Sequence, residues 1–257
     1  MWEDDPKHPF AGIAEKLKRA DENILNLKAE IERFFRDCKY PTIPKPDDES
    51  WQDAVDYHKS LEIPLRFSVL IGEIVHHLRS CLDHVVWLFS SAQARTKPGS
   101  IAFPIITTVP PTKDESSRLE RNIRGISNTQ VCDLIRDMQP FHDGVDAFNN
   151  VLAIVNEMDR IYKHRELWLM GRSANVAFPA GTPTEIIRLM SRHTQGESLT
   201  TAQMAMIGRE IKKHHDVTPD IAFGELGKWK TQPVVSALAQ LRDDIHLIVD
   251  RLAAMYI

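Results

Sequence analysis

Near the start of the chain, apolar residues recur alternately four and three positions apart, at Ile13, Leu17, Ala20, Ile24, Leu27, Ile31, Phe34 and Cys38. That spacing brings them back to one side of an α-helix and makes a heptad seam. Glu15, Lys16, Lys18, Arg19 and Glu22 fill the other sides. A helix from about Pro9 to Cys38 would be a rod of about 45 Å at 1.5 Å rise per residue. A rod with one apolar edge needs a second long helix to cover that edge. The end of the chain offers one. Pro233 suits a first helical turn, and Leu238, Leu241, Ile245, Ile248, Leu252 and Met255 repeat the spacing. The first and last helices are expected side by side, although a partner subunit could supply the same seam.

A third helix, over about 65–92 (LRFSVLIGEIVHHLRSCLDHVVWLFSSA), is apolar nearly all round, which marks a central, buried position. The Pro- and Asp-rich stretch 39–64 before it reads as a loop, with a short strand near Val55 as an option. Shorter helices are expected over 114–124 and 127–138, the second capped by Ser127 or Asn128. Gln139-Pro140 breaks the pattern. A strong helix is then expected from Asp143 to Lys163, with Val145, Phe148, Val151, Leu152, Val155 and Met158 on one stripe. Short apolar runs at Leu167–Met170, Val176–Phe178, Ile186–Met190 and Ile221–Phe223 suggest a small antiparallel sheet, while Ala202–Lys213 could be helical. The expectation is a mainly α protein: one helical bundle over 1–257 with long terminal helices and a small β-containing insertion at 166–230.

Hydrophobic residues are 42% and charged residues 26% of the 257, with a net charge of -4, the balance of a globular chain. A nucleic-acid coat would be basic, so any RNA contact must use a local patch. The three cysteines, Cys38, Cys81 and Cys132, are far apart and form no CxxC pair, which argues against zinc knuckles and a disulfide framework. The acidic opening MWEDDPKHPF does not read as a secretory signal, and no stretch approaches the roughly 20 apolar residues of a membrane span. A cytoplasmic protein without a membrane partner is the expectation. Phosphate-loop, dinucleotide-binding and GxSxG motifs are absent.

The chemistry concentrates on the central helix. At about 100° per residue, Glu73, His77, Ser80 and His84 form one stripe, and His76, Arg79 and Asp83 a second. They are interleaved with Ile74, Val75, Leu78, Leu82, Val85 and Val86. Buried charges without partners cost several kcal/mol, so these groups must pair, bind something, or face a cleft. One reading is a structural network, with Arg79 and Asp83 bridging at i,i+4. A second is a metal site, since Glu73-Ile-Val-His76 matches the E-x-x-H step of di-iron bundles and Asp159 or His164 could add ligands. The second E-x-x-H that such bundles need is missing, so no metal or other cofactor is expected.

A third reading starts from Arg79-Ser-Cys-Leu-Asp-His84. This R-x4-H arrangement resembles the HEPN superfamily of all-helical nucleotide-binding or ribonuclease domains. Gly72–His84 also resembles a group of uncharacterised bacterial proteins carrying G-[DE]-x-x-H-x-L-R-S-x-L-D-H and, far downstream, D-K-H-R. Here the downstream part is Asp159-Arg-Ile-Tyr-Lys-His-Arg165, with three extra residues after Asp159. HEPN nucleases usually carry Asn, Asp or His after the arginine, where this chain has Ser80. The resemblance implies a metal-independent RNA endonuclease, such as those of toxin or defence systems, with His84 moving protons and Arg79 stabilising the phosphorane. Glu73, His77, Asp83, Asp159, Lys163 and His164 would support them. It implies a homodimer, with RNA and a cognate antitoxin as candidate partners. Asp159, Lys163 or His164 are expected to join the polar groups of the central helix in one cluster.

Overall fold

The computed structural model describes residues 2–37, 62–109, 118–174, 182–194, 198–213, 218–224, 226–230 and 232–256. The options raised for Val55 and for Val176–Phe178, as well as the 114–117 end of a predicted helix, lie outside them. Helix α1 spans Ala11–Asp37, α2 Leu65–Phe89, and a single turn, α3, Ala92–Arg95. Then come α4 Arg118–Ile123, α5 Thr129–Asp137, α6 Val151–His164, β1 Leu169–Ala174, α7 Thr184–Thr194, α8 Thr201–Lys213, β2 Thr218–Phe223 and α9 Val234–Ala253.

The first and last helices pack against each other and against α2, and α6 closes the bundle. Along α1 the apolar seam positions Ile13, Leu17, Ala20, Ile24, Leu27 and Ile31 are buried, as predicted, and Asn23 is buried beside them. At its end, however, Phe35 is buried and Phe34 only half-buried. A straight helix of 3.6 residues per turn drifts off a strict 3.5 repeat, and by the last turn the next position faces inward. On α9, Leu238, Leu241, Ile245, Ile248 and Leu252 are buried, while Met255 lies beyond the helix end. The two seams are consumed within one chain. Each fully buried Leu or Ile is worth about 1.5–3 kcal/mol.

Helix α2 is the axis of the bundle. Pro64 stands at its N-cap, and its buried set runs from Phe67 to Val86. At its far end Arg95 donates Nε to the Trp87 carbonyl at 3.1 Å and Nη2 to that of Leu88 at 2.9 Å. Both are last-turn carbonyls, and that of Trp87 also accepts from the Ser90 N–H at 3.2 Å. Gly72 lets α6 approach: a Cβ there would fall 1.9 Å from the Tyr162 ring.

Asn128 caps α5, accepting from the N–H groups of Gln130 and Val131, which matches the expected start. The helix expected from Asp143 begins only at Val151. Asn150 caps it, its side chain accepting from Leu152 N–H at 2.9 Å. Residues Pro140–Asn149 instead form 3-10 turns interrupted at Gly144, whose φ of 58° is outside the helical region. Ile186–Met190, expected as strand, is helical within α7; its Leu189 packs on Ile207 of α8 in a small separate cluster. The sheet has two antiparallel strands with Leu169 opposite Phe223 and Gly171 opposite Ile221. It joins the main core through Leu167, Leu169, Ile221 and Phe223, and Ser68 of α2 donates to the Leu167 carbonyl at 2.9 Å. Among the described residues, no helix is long and apolar enough to cross a membrane.

Candidate functional site on helix α2

The polar residues of α2 meet three different neighbours. Arg79, 8% exposed, donates Nη1 to Asp83 Oδ1 at 2.5 Å and Nη2 to the Phe103 carbonyl at 2.9 Å. The Phe103 N–H donates back to Asp83 Oδ1 at 2.8 Å. The ion pair therefore grips both backbone groups of one residue. Gln139, 1% exposed, holds the next part of the segment. Its Nε2 donates to the carbonyls of Pro104 at 3.0 Å and Ile135 at 2.9 Å, while its Oε1 accepts from Ile106 N–H at 3.0 Å. The 103–106 segment lies in neither helix nor sheet. Buried peptide groups need partners, and here side chains provide them.

The stripe that carries Ser80 and His84 faces α1. Lys16 donates Nζ to Ser80 Oγ at 2.7 Å. His84 lies against Gly12, where a Cβ would sit 3.2 Å from His84 Cε1, and its Nδ1 is buried without a hydrogen-bond partner. Burial, and then the Lys16 ammonium, hold the His84 pKa below the ordinary imidazole value. His77 is shifted the same way: burial leads, then the charges of His76 and Arg19, with Glu73 opposing and Lys16 adding last. Glu73 itself is exposed. Cys81 is fully buried, with its thiol pushed up to about 12 by burial, so it is no nucleophile.

The third neighbour is α6. Asp159, 4% exposed, accepts from Lys163 Nζ at 2.5 Å and stands 3.2 Å from His76 Nδ1. His164 is exposed in the last turn. The expected single cluster is thus divided. Arg79 and Asp83 meet Phe103, His77, Ser80 and His84 face α1, and Asp159 with Lys163 meets His76. His76 stood on a polar stripe in the sequence but outside the candidate set. Lys16 was legible only as a charge flanking the α1 seam, and Gln139 only as a break before Pro140.

Glu73, His76 and Asp159 do not gather into one close set of metal-ligating atoms among the described residues. Among the described residues, the close group of three ligand types is Glu3, His246 and Asp250. Arg242 Nη1 donates to His246 Nδ1 at 3.1 Å, which leaves the proton of a neutral ring on Nε2, the atom that faces Glu3 and Asp250. A metal on Nε2 would need the opposite tautomer, so the trio is better read as a lock between the N-terminal turn and α9. Trp2 adds to that lock by donating to Asp250 at 2.9 Å. Comparison with protein-family models, with curated proteins and with solved structures finds no match.

Proposed function

We propose that the Arg79/His84 cluster is a buried structural network and that the chain is a non-catalytic helical interaction protein. One observation carries this reading. Arg79 is enclosed, with Nη1 on Asp83 and Nη2 on the Phe103 carbonyl. An arginine that stabilises a phosphorane must present free N–H groups to the phosphate. Turning Arg79 outward would take the side-chain donor from the Phe103 carbonyl and leave Asp83 with only the Phe103 N–H.

The second reading, a metal-independent RNA endonuclease of a toxin or defence system, is favoured by the contact between α1 and the Ser80–His84 face of α2. There Lys16, bonded to Ser80, lies close enough to His84 to lower its pKa. On that reading His84 moves the proton and Lys16, in place of Arg79, faces the phosphate. A homodimer and a cognate antitoxin would go with it, using surfaces other than the α1 seam.

The test is incubation with single-stranded RNA in EDTA, beside thermal melts of Arg79→Ala and His84→Ala. The network reading expects no cleavage and a large loss of stability in Arg79→Ala. Cleavage leaving 2′,3′-cyclic phosphate ends, abolished in His84→Ala at an unchanged melting temperature, overturns it in favour of the nuclease.

A further inference from the structure

Two apolar side chains stand in water where the pattern of the chain would bury them. Val145 and Phe148 are 97% and 69% exposed, although they continue the buried stripe of Leu152, Val155 and Met158. The Asn150 cap and the Gly144 kink hold them outside α6. In 3-10 geometry side chains three apart eclipse. Val145 and Phe148 therefore share one edge of the segment, and Asp146 and Asn149 the next.

That second edge, with Asp143, Asn150 and Lys228, lines an open recess of about 480 Å³. Amides set its walls. Asn150 Nδ2 donates to Asp143 Oδ2 at 2.7 Å, Asn149 Nδ2 to Asp146 Oδ1 at 3.4 Å, and the Lys228 N–H to Asn149 Oδ1 at 3.1 Å. Two carboxylates against one ammonium leave the recess acidic. An acidic hollow beside a two-residue apolar ridge is complementary to a ligand with a cation next to a hydrophobe.

We propose that this edge is a docking surface for a basic, apolar segment of a partner protein. A lysine or arginine of the partner enters the recess against Asp143 and Asp146, and an adjacent aliphatic side chain covers Val145 and Phe148. The inference deepens the interaction reading above and rests on it.

Fluorescence anisotropy of the full chain with a short labelled peptide alternating arginine and leucine tests this. Peptides alternating glutamate with leucine, and arginine with serine, are the controls. The arginine–leucine peptide is expected to bind. Its affinity should fall about tenfold or more in Phe148→Ser and in the Asp143→Asn/Asp146→Asn pair, with melting temperatures unchanged because these side chains are exposed. Absence of binding, equal binding by both variants, or equal binding of the arginine–serine peptide overturns the proposal. A wild-type dimer in light scattering that Phe148→Ser dissociates also overturns it, by naming a second copy as the occupant. RNA cleavage by the wild type would sink the interaction reading without moving these affinities, so the two failures stay distinct.

Discussion

Arg79 and His84 share one helix, yet the first is bonded through both of its terminal nitrogens and the second keeps a buried nitrogen without a partner. The difference lies in what each faces. The 103–106 segment has no ladder of its own and offers free peptide groups to Arg79, Asp83 and Gln139. Helix α1 meets His84 at the gap over Gly12 and with the nearby Lys16 side chain, and neither gives Nδ1 a hydrogen bond. A polar group in an apolar helix is well satisfied where the neighbouring backbone is irregular, and poorly where it is regular.

The comparison breaks most directly at Arg79. Arg79→Ala is expected to cost about 2–3 kcal/mol in denaturant unfolding, because it leaves the Phe103 carbonyl without its side-chain donor and Asp83 with only the Phe103 N–H and solvent. Arg79→Lys should recover only part of this, since one ammonium does not reproduce the planar fork. An unchanged midpoint for the alanine variant would remove the distinction between the stripes.

Gly72→Ala supplies the scale for the face toward α6. Its Cβ meets the Tyr162 ring at 1.9 Å, so a loss of about 2 kcal/mol is expected from overpacking. Adding Tyr162→Ala should make the alanine at 72 nearly free of cost, and strict additivity of the two substitutions would refute the contact.

The histidine stripe should show itself through pH. His77 and His84 have folded pKa values below 6.5, so as pH falls through about 6.5 the unfolded chain takes up protons first and stability declines. The decline ends below the lowered folded values, where both states are charged. A His77→Ala/His84→Ala chain should therefore have a flatter stability profile between about pH 7 and pH 5. A slope as steep as that of the wild type would mean that other groups carry the acid response.

The smallest effect is expected at Ser80. Ser80→Ala removes the acceptor of a half-buried Lys16 that can turn to water, so its melting should stay within about 0.5 kcal/mol of the wild type.

Much of the bundle was legible because it depends on period. The seams of α1 and α9 and the all-round apolar α2 follow from spacing alone, while residue type narrows the cap of α5 to Ser127 or Asn128, of which Asn128 serves. What failed depended on local competition. The stripe through Val145 and Phe148 has helical spacing, but Asn150 captures the Leu152 N–H and starts the helix later. The run at Ile186–Met190 was too short for period to separate strand from helix. For the site, the two stripes on α2 were readable but their partners were not. Arg79 is satisfied by the backbone of Phe103, and a peptide group leaves no mark in the side-chain pattern. Lys16 could be seen as a charge beside a seam, but nothing in the spacing joined it to Ser80, which lies in another helix.

The grip of Arg79, Asp83 and Gln139 on 103–106 also bears on time. The amide protons of Phe103 and Ile106 are held by side chains rather than by a ladder. Exchanging either proton with solvent means breaking a bond to Asp83 or Gln139, groups that also serve other partners. A stretch without regular structure is thereby expected to exchange its amide protons slowly, with its opening coupled to the integrity of α2.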